Sequence, residues 1–175
     1  MIKLILDNTL RWDIKMFHRI FGWNGKNVLD KSMLFITHSG DGYYYALVMM
    51  VALLLNWQLG ITMLIAGVIA FAFELPLYKV IKKSVKRSRP FEQIRGIRFL
   101  IQPPDKFSFP SGHTAAAFLM ATILSSMIPV LTIPLFIWAT LVGISRIYLG
   151  VHYPTDVMMG MVLGITCAII GLGVI

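Results

Sequence analysis

The sequence predicts an all-α protein: an integral membrane helical bundle of about five transmembrane helices, preceded by an N-terminal amphipathic helix in the interface. Three observations carry that expectation. Of the 175 residues, 57% are hydrophobic and 14% charged, where a soluble domain carries about 25% charged residues. Mean hydropathy is +0.75. The apolar residues also gather into runs long enough to cross a hydrocarbon core of ~30 Å, with the charges between them. The length fits one domain, residues 1–175.

The elements follow in order. In residues 1–30, Ile2, Leu6, Leu10, Ile14 and Phe17, with Ile20 or Phe21, recur at helical spacing, and Lys3, Asp7, Arg11, Lys15 and Arg19 fall largely between them. That pattern describes a helix lying in the interface. A cleaved signal peptide needs a central apolar run and a small-residue cleavage site, and neither is present. The first span is expected over 33–55, with an unusually polar opening, Thr37-His38-Ser39-Gly40-Asp41-Gly42. A second covers 59–78 and contains Glu74 and Pro76. Residues 79–110 are too basic and polar for lipid and read as an active-site loop. A third span begins near Ser111 and ends at 128–131, a fourth covers 134–149, and a fifth 157–175. There is no internal repeat and no low-complexity linker. Cys167 is the only cysteine, which excludes an intrachain disulfide and a cysteine zinc site and suits core packing.

Alternation of these spans brings the polar clusters to one face of the membrane. The opposite face receives only the turns near 56–58 and 129–133 and the C-terminus. The net charge is +8. The basic residues flank spans, where anionic head groups or a phosphorylated substrate are nearer partners than nucleic acid, for which no stacking motif or helix-turn-helix pattern appears.

Three clusters stand at the polar face. Lys82 precedes Arg89-Pro90; Pro110-Ser111-Gly112-His113 opens the third span; Ser145-Arg146 is followed by His152 and Asp156. Together they supply cations, two imidazoles, a carboxylate and a Ser-Gly at a helix start. Phosphoryl transfer asks for such a set: charge on the equatorial oxygens, a nucleophile and a proton donor. Arg146 lies within an apolar segment, where a charge costs about 2.5–3.5 kcal/mol on insertion scales, so a functional partner is expected.

These clusters resemble, position for position, the three-part signature of the type 2 phosphatidic acid phosphatase family, which shares its site with vanadium haloperoxidases. The resemblance covers 82–156 by motif. It implies a membrane phosphatase removing phosphate from a lipid phosphomonoester or diphosphate. It implies His152 as nucleophile through a phosphohistidine, with Asp156 orienting its imidazole. His113 becomes the acid for the leaving oxygen and then the base for water. Lys82, Arg89 and Arg146 bind the phosphoryl oxygens. Ser111 is expected to cap the third span, while the Gly112 and His113 amides face the anion. No metal or other cofactor is expected, because the three cations supply the charge.

Other polar residues are accessory. Glu74, with Tyr78 and Lys82 each one turn further on, is placed either to brace a cation or to sit protonated between helices. His38 and Asp41 are placed to line the lipid entrance or to bond to a neighbouring span. Lys83, Lys86 and Arg87 read as a basic stop-transfer run. The positive-inside rule would turn the site to the cytoplasm, whereas the resemblance implies a bacterial inner-membrane enzyme with its site facing outward. Substrates it implies are undecaprenyl diphosphate, phosphatidic acid, phosphatidylglycerol phosphate or a lipid A phosphate. The compact form and the Val28-Leu29-Asp30 lead resemble the short undecaprenyl diphosphatases of the family. Transfer to a second lipid is the alternative. The sequence leaves the lipid and the oligomeric state open.

Overall fold

Prolines, an Asn cap and a left-handed residue set the helix ends. The computed structural model describes residues 2–175, with side chains from Asp7 onward. Its helices are α1 (Ile2–Phe21), α2 (Asn27–Ser39), α3 (Gly42–Leu55), α4 (Trp57–Val85), α5 (Pro90–Gln93), α6 (Gly112–Met127), α7 (Thr132–Tyr148) and α8 (Pro154–Gly173). A 3-10 turn, Pro129–Leu131, joins α6 to α7. No strand occurs among the described residues. The Asn56 side chain caps α4 by accepting from Leu59 N at 3.0 Å. Lys86, at φ 50, ends it. Pro90 and Pro154 open α5 and α8 at positions where a missing N–H costs nothing.

Among the described residues, three stretches are long and apolar enough to cross a membrane: Trp57–Gln93, Pro129–Tyr148 and Pro154–Gly173. Gly42–Leu55 and Gly112–Met127 are shorter apolar helices. Two boundaries differ from the sequence expectation. The first expected span is broken between α2 and α3, because Gly40 and Asp41 leave the helix and Tyr45 Oη donates to the freed Gly40 carbonyl at 2.8 Å. The second continues past residue 78 to Val85, so Lys82 stands on a helix rather than in a loop. Pro76 does not stop it.

The pillar of the bundle is the α6–α8 contact. A Cβ at Gly164 would lie 2.1 Å from the Ala115 carbonyl oxygen, and one at Gly160 2.5 Å from that of Ser111. Small residues four apart on α8 therefore let the α6 backbone touch it, the usual device for close membrane helices. That contact fixes the start of α6 beside the start of α8. Met63, Ala66 and Ala70 of α4 close the core with Leu119 and Ile123 of α6 and with Leu163, Cys167 and Ala168 of α8. Cys167 is fully buried.

Expectations for Ile2, Lys3 and Leu6 fall outside the described side chains. Further along α1, Phe17 is fully buried against Ile147 and Tyr153, and Asp13 is fully buried too.

Candidate active site

Four segments meet at one end of the bundle: the last turn of α4, the 87–111 connection, the first turn of α6, and the α7–α8 junction. His152 lies in that junction, 2% exposed, with its amide held by the Arg146 carbonyl at 3.3 Å. Its Nε2 faces Arg89 Nη1 at 3.4 Å. Its Nδ1 points to Asp156 Oδ2 at 3.6 Å and is otherwise unpartnered. Burial, then the charges of Arg146, Arg89 and Lys82, hold this imidazole well below the usual histidine range. It is therefore neutral, as a nucleophile must be.

Arg89 is 2% exposed. It donates to the Val151 carbonyl at 2.8 Å and to Asp105 Oδ1 at 2.6 Å. Lys82 donates to both Asp105 oxygens at 2.8 and 2.7 Å, and to Tyr78 Oη. Tyr78 in turn donates to Asp105 Oδ2 at 2.6 Å. Arg146 is buried, bonded to Thr37 Oγ1 at 2.7 Å, and its Nε has no partner. A buried guanidinium N–H with no partner among the described residues is costly unless an anion arrives. A phosphoryl group fits that need.

His113 opens α6, with Nε2 3.0 Å from Asp41 Oδ1. Asp41 Oδ2 also meets His38 Nδ1 at 3.0 Å and accepts from Tyr43 Oη at 3.0 Å. His113 borders a cavity of about 740 Å³ between α3, α4 and α6, whose walls include Met49, Val68, Phe71 and Met120. Tyr78 and Gly112 line it as well, so one tyrosine joins the apolar cavity to the cation cluster. A Cβ at Gly112 would stand 3.0 Å from the Tyr78 ring. Glycine there is what lets Tyr78 pack against α6.

A model of the PAP2 superfamily matches residues 44–174. The chain belongs to the PAP2 superfamily. An undecaprenyl-diphosphatase of Sulfolobus acidocaldarius is 32% identical over 174 residues, spanning 93% of this chain and 79% of that one. Among solved structures, Aquifex aeolicus LpxE superposes with a TM-score of 0.78 at 30% identity, covering 91% of this chain and 94% of its own. A PAP2-type phosphatidylglycerolphosphate phosphatase from Bacillus subtilis gives 0.74 at 28% identity, covering 95% and 86%.

In this PAP2 chain the signature residues of all three clusters line the same end of the bundle, and two sequence expectations, for Ser111 and Arg87, need correction. Ser111 holds the N-cap position of α6 but makes no side-chain cap; its Oγ accepts from the Thr114 hydroxyl at 2.8 Å instead. Of the two placements expected for Glu74, the structure agrees with the one buried between helices: it lines the cavity without pairing with Lys82, whose acid is Asp105. Arg87 is no stop-transfer charge: it pairs with Asp13 at 2.5 Å and Asp156 at 2.7 Å. Sequence reasoning missed Asp105 and Asp13 altogether. Periodicity gave no signal for either, because their partners are far along the chain.

Proposed function

We infer that this PAP2 chain is an integral membrane phosphatase of lipid phosphates, acting through a phosphohistidine on His152. One observation carries the reading: a buried neutral imidazole lies among the charges of Lys82, Arg89 and Arg146, and Tyr78 links that cluster to an apolar cavity bordered by a second imidazole. The phosphoryl group takes the place of the Asp105 carboxylate on Lys82 and Arg89 and engages the free Arg146 Nε. His152 Nε2 attacks phosphorus while Nδ1–H closes on Asp156, which supports the charge developing on the ring. His113 protonates the leaving oxygen at the mouth of the cavity, then draws a proton from the water that releases phosphate. The lipid tail occupies the cavity, which α3, α4 and α6 line.

The substrate we favour is a prenyl diphosphate such as undecaprenyl diphosphate. Similarity along almost the whole chain to the Sulfolobus diphosphatase supports it. The broken α2–α3 pair with α4, α6, α7 and α8 makes five crossings of a single domain, and α1 rests in the interface. The protein sits in an inner membrane with the site facing outward. Lys82, Arg89 and Arg146 supply the charge that a metal would bring, and among the described residues no group of three His, Cys, Asp or Glu is arranged to hold one.

The test is phosphate release by the purified protein across prenyl diphosphate, phosphatidic acid, phosphatidylglycerol phosphate and a lipid A phosphate, each with chelator present. Turnover fastest on prenyl diphosphate and indifferent to chelator is expected. Silence on the whole panel, or chelator loss restored by magnesium, would overturn the reading.

A further inference from the structure

Arg87 lies outside the three clusters that bind and transfer phosphate, yet it makes the strongest contacts to the carboxylate behind His152. Its Nη1 donates to Asp156 Oδ1 at 2.7 Å and to Thr155 Oγ1 at 2.7 Å. Its Nη2 donates to Asp13 Oδ2 at 2.5 Å. The guanidinium also lies over the Tyr153 ring, 4.2 Å from its centroid.

Asp13 reaches this point from α1, and it does more than pair with Arg87. It accepts from Thr155 N at 2.9 Å through Oδ1 and from the Thr155 hydroxyl through Oδ2. Thr155 N is one of the first amides of α8, which have no partner inside that helix. Asp156 Oδ2 serves another donor at the same place, Tyr153 N at 2.7 Å. Two carboxylates thus satisfy the start of α8, and one guanidinium lies between them. Both carboxylates are fully buried, and the Arg87 side chain is 17% exposed.

We propose that Arg87, anchored by Asp13 of α1, is a positioning residue for the nucleophile: it fixes Asp156, and through Asp156 the His152 imidazole. The proposal rests on the phosphatase reading above. Asp156 Oδ1 belongs to Arg87, so Oδ2 is the oxygen left to face His152 Nδ1. The 3.6 Å gap there closes to a hydrogen bond as the ring gains charge, provided the carboxylate cannot swing away. Arg87 is also the cation within ion-pair distance of Asp156 that does not touch phosphate. Without it a buried carboxylate loses its ion-pair partner and keeps the Tyr153 N–H and a neutral imidazole, an arrangement that favours rotation or neutralisation. The N-terminal helix is thereby part of the catalytic apparatus and not only an anchor.

A double-mutant cycle tests this. Arg87→Ala should lower kcat about 10–100-fold, the range for partners that orient an active-site ligand, while KM and vanadate inhibition stay near wild type. Asp13→Asn should lower kcat about 3–10-fold in the same manner, since it loosens Arg87 without removing it. In an Asp156→Asn background, each change should cost less than about 3-fold, because the residue through which they act is already lost. The same loss in both backgrounds would mean a general structural role and overturn the proposal. A parallel rise in KM and in the vanadate constant would make Arg87 a phosphate ligand, which also overturns it.

Arg87→Lys keeps one ion pair and should recover part of the loss. It replaces Arg87→Ala in the cycle if the alanine protein does not insert. Where Asp156→Asn turns over too slowly, single-turnover phosphoenzyme formation from an aryl phosphate serves in every arm. Wild-type activity on the lipid panel and the His152→Ala blank report separately on the phosphatase reading.

Discussion

His152 and His113 are both imidazoles paired with a carboxylate and both lie in the field of Arg146, and their settings otherwise differ. His152 sits in an irregular junction, 2% exposed, among three cations and against a fully buried Asp156. His113 starts a helix, its side chain a quarter exposed, and borders the apolar cavity. Its partner Asp41 is 21% exposed and shared with His38 and Tyr43. One imidazole is held neutral and immobile beside positive charge. The other has a solvated carboxylate and a second histidine through which a proton can leave or return. The first setting suits attack on phosphorus and the second suits proton transfer.

Exchanging the two roles would break that comparison, and it carries the largest expected effect. His152→Ala should reduce turnover by at least about 10³-fold and form no phosphoenzyme with any substrate. His113→Ala should fail most on lipid phosphates, whose alkoxide needs a proton to leave. An aryl phosphate such as p-nitrophenyl phosphate departs with little help, so His113→Ala should build up phosphoenzyme that it cannot hydrolyse. The measurement is rapid quench into alkali, which preserves phosphohistidine, with both substrates. Phosphoenzyme in His152→Ala, or none in His113→Ala with the aryl ester, would reverse the assignment.

The same comparison shows what the sequence could and could not disclose. His152 and Asp156 are four residues apart at the start of a helix, so their pairing was legible from spacing. His113 and Asp41 are 72 residues apart, and nothing in either segment signals the other. The spans were legible because lipid demands long apolar runs. The break at Gly40–Asp41 showed only as an odd polar opening, since hydropathy registers composition and not where a helix bends. Arg87 and Asp105 were illegible for a common reason. Each is a charge in a polar segment, where a solvated residue is the ordinary reading, and only the folded 87–111 connection supplies its partner.

Asp41→Asn sharpens the comparison from the side of His113. Asparagine keeps the shape but removes the charge that draws the Nε2 proton. Phosphoenzyme formation from a lipid phosphate should slow about tenfold, and that from the aryl ester about 3-fold or less, because only the first depends on protonating the leaving group. Equal losses on both substrates would mean that Asp41 supports the fold around α3 rather than His113.

Asp105→Asn probes the side of His152 and carries the smallest effect. The Asp105 carboxylate accepts from Lys82, Arg89 and Tyr78, so it stands on cations that a phosphoryl group needs. Burial would raise its pKa, but the hydrogen bonds from Lys82 and Tyr78 and the charges of Lys82 and Arg89 outweigh that and hold it below the usual carboxylate value. Asp105 is therefore an anion throughout the neutral range and competes with any incoming phosphate. The side chain is a third exposed, so solvent screening keeps the competition modest. Orthovanadate should bind Asp105→Asn about 3–10-fold more tightly, with phosphate product inhibition strengthened alike. The sign for stability is opposite. A depressed carboxylate pKa stabilises the fold above the unfolded value, and the benefit is lost as pH falls through the folded one. The variant should thus melt lower than wild type at neutral pH, with the difference shrinking in acid. Weaker vanadate binding in Asp105→Asn would show instead that this carboxylate organises Lys82 and Arg89 for the substrate, and the cradle would then need its own internal anion to keep its shape.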